Sequence, residues 1–399
     1  LILNTLITYA RMALTVGLGL AVTRLALKHL GDSDYGLLAT LGASGVLLLV
    51  LSDALTASTQ RHLAYEIGRK DHDTLRAVFN TALVIYAGVA ATVALVGMAA
   101  WPILAVVLDI PAGRESTAFW VYALTIANIA LTILATPHRG FLIARQSFLT
   151  IAFYDLSQAV LGFVAVLMLG GMAGDRLLTY AWLLLGVRAL AEGITIFFSI
   201  IAFPDCRPRP ALFRRDQVRR IASFAGWSLF SLTAWRLRVQ GTTILVNSFY
   251  GSGVSAAYGV ASQLGGYQNQ IGAAVFRTVR PAMASIEANG GSEGVRSLTL
   301  VSSKYLLMLT LLFLIPAQLE MPTLLDLWLA TVPEHTPILT RLVLLWMGLY
   351  WASIGYQMAM EAKGTLGKYS VVMSFFDLGV LVLQGLFLAL TPKLSEGQP

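Results

Sequence analysis

The chain has 399 residues, of which 57% are hydrophobic and only 12% are charged, and its formal net charge is +7 at pH 7. Soluble globular proteins carry about a quarter charged residues. The composition therefore excludes a soluble enzyme, a disordered chain and a secreted disulfide scaffold, and it predicts an all-α polytopic membrane protein.

Eleven apolar stretches have the length of about 20 residues that a helix needs to cross a bilayer. In chain order these predicted spans are 3–26, 35–56, 77–101, 118–137, 147–171, 177–203, 221–248, 254–276, 299–319, 336–358 and 366–391. The first stretch continues too far to be a cleavable signal peptide.

Positive charge alternates between the loops. The loops after the even-numbered spans hold 18 Lys and Arg, whereas the opposite loops hold four, namely Lys28, Arg114, Arg176 and Lys393. Because cytoplasmic loops are enriched in Lys and Arg, we expect the N-terminus and the even-numbered loops to be cytoplasmic. The expected partners of this basic surface are anionic membrane lipids, not nucleic acid.

Parts of the sequence repeat at an offset of about 220 residues. FYDLSQAVLG at 153–162 recurs as FFDLGVLVLQG at 375–385, 102–111 recurs at 322–333, and the pair at 35–36 recurs at 258–259. Six spans per copy keep both copies in one orientation. We therefore expect two parallel six-helix repeats with the twelfth span missing: an N-terminal lobe at 1–203, a basic, solvated cytoplasmic linker at 204–220, and a C-terminal lobe at 221–399.

Three short motifs indicate a family. Asn-x4-Tyr-x-Arg at 4–11, LGDSDYGLL at 30–38 and LLDLWLA at 324–330, in two six-span bundles, resemble the lipid-linked oligosaccharide flippases. These include the O-antigen repeat-unit translocases of the multidrug/oligosaccharidyl-lipid/polysaccharide exporter superfamily.

The resemblance implies two lobes around a central cavity in the bacterial inner membrane. By alternating access they would flip an undecaprenyl-pyrophosphate-linked oligosaccharide to the outer leaflet for polysaccharide and O-antigen export. This lipid-linked glycan would be the substrate, and a polysaccharide polymerase is a candidate partner.

Charged residues inside the spans are the candidate site, because a charge in the bilayer needs a partner, a wet cavity or a function. Arginine binds pyrophosphate oxygens with a planar fork and stays charged. The resemblance implies that spans 1 and 7 line the cavity, so we expect some of Arg11, Arg24, Arg236 and Arg238 to hold the pyrophosphate. Arg236 and Arg238 point about 200° apart on a helix, so at most one of them can face the cavity. Structural pairing or snorkelling is the alternative for each arginine.

Polar side chains in other spans have two interpretations each. Gln268 and Gln270 in span 8 would bind sugar hydroxyls or join helices by hydrogen bonds. Asp155 and Asp377, at equivalent repeat positions, would couple an ion or pair with an arginine. Arg188 and Glu192, spaced i and i+4, are expected to pair structurally.

Two other functions are alternatives to the flippase. A drug or cation antiporter of the same superfamily would need membrane acids facing its substrate, whereas arginines outnumber acids on spans 1 and 7. A membrane-embedded transferase would need intramembrane histidines or metal ligands, and the five histidines all lie in loops or at span ends. We therefore expect neither an enzyme nor a cofactor or metal, and a reduced, non-catalytic thiol at Cys206.

Overall fold

The computed structural model describes residues 2–145, 147–218, 225–288, 292–362 and 366–390, and these residues contain helices and no β-strand. The α-helices in chain order are α1 (Ile2–Val46), α2 (Val50–Arg69), α3 (His72–Val107), α4 (Glu115–Ala144), α5 (Phe148–Leu169), α6 (Arg176–Ala202), α7 (Ala225–Ala288), α8 (Ser292–Leu319), α9 (Met321–Trp328), α10 (Thr336–Ala362) and α11 (Leu366–Leu390). Short 3-10 helices cover Leu47–Leu49, Pro204–Cys206 and Pro210–Leu212.

Helices α1 and α7 are long because each contains two arms joined at a glycine. Gly31 has φ 77° and Gly251 has φ 81°, in the left-handed region that glycine adopts without strain. The two kinks are 220 residues apart, so the bend is part of the repeat. We call the end of the molecule that holds both glycines the kink end.

The helix order of the first half recurs in the second, which confirms the predicted parallel repeats. Helix α3 begins at His72 and α8 at Ser292, and α4 begins at Glu115 and α10 at Thr336. These starts are 220 and 221 residues apart, in agreement with the sequence offset. A counterpart of α6 would lie beyond residue 390, outside the described residues.

Eight helical stretches among the described residues are long and apolar enough to cross a membrane by length and composition alone. They cover the predicted spans 1, 3–6 and 9–11. The stretch Met12–Gly45 also includes the first part of predicted span 2, which continues through the 3-10 helix at Leu47–Leu49 into α2. Helix α7, which contains the described parts of spans 7 and 8, is not among the eight stretches, and its polar residues include Arg236 and Arg238.

The end of the first half opposite the kinks holds the start of the linker, and we call it the linker end. The carboxylate of Asp205 is 7% exposed and lies 2.9 Å from Arg76 Nε, 3.1 Å from His72 Nδ1 and 3.3 Å from an Arg145 Nη atom. The linker therefore begins as a segment docked on α3 and α4, although the sequence indicated a solvated one.

The neighbouring thiol is buried. Cys206 is fully buried in a cluster with Leu63, Phe79 and Phe141. Burial is the main cause that raises the pKa of the Cys206 thiol. The thiol is therefore protonated at neutral pH and is a poor nucleophile.

Candidate functional site

Arg238 lies in a cavity of about 410 Å³ in the second half, formed by α7, α10 and α11. Its Nε atom is 2.6 Å from Asp377 Oδ1, and both side chains are almost buried, at 13% and 14% exposure. The Arg238 Nε–H is not aligned for a hydrogen bond, so the contact is an ion pair. The guanidinium centre also lies 4.2 Å from the ring centroid of Trp346. We call this space the second-half cavity.

The remaining lining of the second-half cavity is apolar with a few uncharged polar groups. The Thr242 hydroxyl donates to Gln384 Oε1 at 3.0 Å. The other side chains that line the cavity include Tyr258, Ser262, Leu339, Leu342, Val343, Met347 and Phe387. Because Asp377 balances Arg238, the described site is close to electrically neutral and is suited to an amphipathic molecule.

The Arg238–Asp377 pair occurs in one half only. Asp155 stands in α5 where Asp377 stands in α11, but the position 220 residues before Arg238 is Leu18. Asp155 is half-buried. The two aspartates are equivalent in the repeat, but no arginine stands where Asp155 would need one to form the same pair.

The network around Glu192 joins α4, α5 and α6. Tyr154 donates a 2.6 Å hydrogen bond to Glu192 Oε1, and an Arg188 Nη atom lies 3.5 Å from the same oxygen. Arg188 also donates to Asn128 at 3.1 Å. The predicted structural pairing of Arg188 with Glu192 is confirmed.

The other predicted arginines do not gather around the second-half cavity. Arg24 is exposed and donates to the Leu327 carbonyl at 3.3 Å, which links α1 to α9 near the kink end. Arg236 is half-buried and is not among the residues that line the cavity. The side chain of Arg11 lies outside the described residues.

The predicted glutamines are also apart. Gln270 is exposed, whereas Gln268 lines a smaller, separate cavity between α7, α8 and α10. Among the described residues, Arg238 is therefore the one predicted residue that lines the second-half cavity, and Asp377 is paired with it. Whether the arginines and glutamines bind substrate stays a prediction.

The two halves meet in a seam whose described side-chain contacts extend from the middle of α1 to the kink end, and α2 also contacts α7. Thr23 donates a short hydrogen bond to Gln263, and Gln263 donates to the Gly19 carbonyl at 3.3 Å. Trp328 donates to the Leu20 carbonyl at 2.8 Å. These contacts join the first arm of α1 to α7 and α9.

Close packing at the kinks completes the seam. The Ser33 and Ser252 hydroxyl oxygens are 3.1 Å apart. Gly36 lies against the backbone of Ser252, where a Cβ would overlap the carbonyl oxygen. Gly259, in the second arm of α7, lies against the side chains of Ala39 and Tyr35, 3.1 and 3.5 Å from where a Cβ would be. The repeated Tyr-Gly pairs are thus the point where the second arms of α1 and α7 touch.

An ion cluster fixes the loops beside the seam. Arg114 contacts both Asp34 and Asp175, the latter at 2.8 Å. Partial burial acts to raise the pKa of Asp175. Hydrogen bonds from Thr117 and the Leu178 N–H, together with the charge of Arg114, outweigh it, so the pKa is lowered.

Sequence reasoning missed the aromatic part of the site. Trp346 lies eleven residues into its span, away from the membrane interface where tryptophan is usual. This unusual depth is the feature of the sequence that could have indicated a functional tryptophan. In the described residues no cluster of three His, Cys, Asp or Glu could hold a metal ion.

No known family model and no curated sequence matches the chain, but solved structures do. An inward-facing multidrug resistance MATE family transporter of the MOP superfamily superposes with a TM-score of 0.74 at 15% identity, covering 94% of this chain and 87% of that one. The chain has the MATE fold. The MATE multidrug transporter DinF-BH gives 0.66 at 12% identity and coverages of 96% and 84%. An outward-facing MATE transporter gives 0.59 at 15% identity and coverages of 95% and 94%.

Proposed function

We propose that this protein is an alternating-access membrane transporter that exports amphipathic organic compounds, as a drug or cation antiporter does. The main support for this proposal is the seam. In it, two similar halves contact each other through side chains from the middle of α1 to the kink end. Transporters built from two such halves move substrate by rocking one half against the other. The higher TM-score with an inward-facing structure than with an outward-facing one, 0.74 against 0.59, supports a closed kink end.

The second-half cavity supports an amphipathic substrate. Its volume of about 410 Å³ falls within the range of small-molecule pockets, which are mostly apolar with a few polar groups. The face of Trp346 is already covered by Arg238, so a planar substrate would displace the guanidinium or lie beside it. Asp155, in the other half, is the proposed ion-coupling residue.

The flippase is the second candidate, and one observation favours it. The described lining of the second-half cavity contains no carboxylate, and Asp377 behind it is already paired with Arg238. A cationic substrate would find no free acid in this lining, whereas a lipid-linked glycan would not need one. The expected inner-membrane location, cytoplasmic N-terminus and polymerase partner remain predictions of this proposal.

Reconstituted vesicles distinguish the two candidates. Purified protein would be tested for uptake of a cationic rhodamine dye under an imposed proton or sodium gradient, and for flipping of a labelled undecaprenyl-pyrophosphate oligosaccharide. The control is a Ser33→Cys/Ser252→Cys variant, in which an oxidised disulfide should stop transport and reduction should restore it.

Each outcome decides a point. Dye uptake that stops on oxidation supports the exporter, and the Asp155→Asn variant then tests coupling. Glycan flipping without dye uptake replaces the exporter with the flippase. Absence of both activities in folded, reduced protein contradicts both candidates.

A further inference from the structure

A second cavity lies between α7, α8 and α10, and we call it the Gln268 cavity. It measures about 200 Å³, and most of its lining is apolar. Phe313 is 60% exposed and borders the cavity on the side of the helices that would face lipid. The full lining is Gln268, Gly272, Leu306, Leu309, Thr310, Phe313, Leu314, Ala317, Leu344 and Trp351, none of which lines the second-half cavity.

Two buried polar atoms in this lining have no hydrogen-bond partner among the described residues. They are Gln268 Oε1, an acceptor, and Trp351 Nε1, a donor. Trp351 as a whole is buried, with 5% of its surface exposed. Buried polar groups are nearly always paired in folded proteins, because leaving them unpaired is unfavourable. One acceptor and one donor on the same cavity indicate a bound group that satisfies both.

The first half shows that the fold does not require this cavity. With the offsets of 220 and 221 residues, Gln268, Thr310 and Trp351 correspond to Leu48, Ala90 and Ala130. In the first half these three lie in or against a hydrophobic cluster that also includes Val89 and Val93. The same place is thus packed with apolar side chains in one half, and in the other it has polar side chains around a space.

We propose that the Gln268 cavity binds a small, uncharged, membrane-soluble alcohol. One hydroxyl can donate to Gln268 Oε1 and accept from the Trp351 Nε1–H, since a hydroxyl is both donor and acceptor. The apolar remainder of the ligand contacts Leu306, Leu309 and Phe313. A cavity of about 150 Å³ can hold benzene, so this one has room for a single aromatic ring with a hydroxymethyl group.

The probe is 4-fluorobenzyl alcohol, followed by fluorine NMR with the purified full-length protein in nanodiscs. Its matched control is 4-fluorotoluene, which has a similar shape and no hydroxyl. The wild-type protein should bind the alcohol saturably and the hydrocarbon about tenfold more weakly, because the latter leaves both polar groups unpaired. Empty nanodiscs measure partition into lipid.

Two variants test the residues. Gln268→Leu introduces the residue of the first half and removes the acceptor, and Trp351→Phe removes the donor but keeps an aromatic ring. Either variant should weaken binding of the alcohol about tenfold and change binding of the hydrocarbon by less than about twofold. Ser353→Ala, on the exposed side of α10, should bind both probes as the wild type does.

Three results would overturn the proposal. They are absence of saturable binding, equal affinity for the two probes, and unchanged alcohol binding in both variants while they elute as folded protein. Since the Gln268 cavity shares no lining with the second-half cavity, none of these results bears on the transport proposal.

Discussion

A methyl group at Gly36 should prevent the kink end from closing. In the structure the Cβ of an alanine there would lie 2.8 Å from the carbonyl carbon of Ser252 and 2.9 Å from the backbone nitrogen of Ala256. Carbon atoms in contact are normally about 3.5–4.0 Å apart. These neighbours are backbone atoms of α7 and cannot rotate away, so the two helices would have to separate by roughly 1 Å.

The size of the effect follows from this overlap. Overpacking of this kind costs typically about 1–3 kcal/mol. The contact between Gly36 and Ser252 joins the two halves, so the penalty falls on conformations with a closed kink end. A change of about 1–3 kcal/mol shifts an equilibrium between two conformations by roughly 5- to 150-fold. Gly36→Ala should therefore favour the conformation that is open at the kink end.

Disulfide formation measures this shift. In the Ser33→Cys/Ser252→Cys background the two sulfurs replace oxygens that are 3.1 Å apart, so they should bond readily when the seam is closed. The natural Cys206 will not interfere, because it is buried and its thiol is protonated. Adding Gly36→Ala should slow disulfide formation about 5-fold or more and slow transport.

Gly42→Ala is the matched control. Gly42 lies in the same arm of α1, and a Cβ there meets nothing within 4 Å. This variant should form the disulfide as fast as the parent. If Gly36→Ala also does so while remaining folded, the packing of Gly36 on Ser252 does not limit closure and the reasoning fails.

Further predictions concern the ion pairs. Asp377→Asn should lower the free energy of unfolding in detergent by about 3–5 kcal/mol, because it leaves the Arg238 charge buried without its partner. Arg238→Met combined with Asp377→Leu should restore most of that free energy. An additive loss in the double variant would contradict a mutual ion pair. Asp205→Asn should speed tryptic cleavage after Arg214 because it releases the linker, and an unchanged cleavage pattern would refute the docked segment. The lowered pKa of Asp175 means that its ionised form stabilises the fold above its unfolded pKa, and this stabilisation disappears as the pH falls through the folded pKa. The wild type should therefore melt higher than Asp175→Asn near about pH 6 and lose this advantage toward about pH 3, as thermal scans at several pH values would show; a pH-independent difference would argue against ionisation as its origin.

The sequence determined the membrane class and the repeat because both depend on local pattern. Runs of apolar residues identify spans without knowledge of their neighbours, and the offset of about 220 residues appears as the same spacing between the kinks Gly31 and Gly251. Spacing also sufficed for Arg188 and Glu192, since residues at i and i+4 meet on any helix. The two spans of α7 were recognised from length, although their polar side chains lower their hydropathy.

The tertiary structure decided which of the polar residues meet. Arg238 and Asp377 are 139 positions apart in the chain, and only the packing of α7 against α11 makes them an ion pair. That pairing removed the excess of positive charge on which the pyrophosphate interpretation of Arg238 depended. Gln268 likewise lies in a cavity with Trp351 because α7 packs on α10. A sequence gives the face of a helix on which a side chain lies, but helix packing decides what that face contacts, and the charge and hydrogen bonding of a site depend on those contacts.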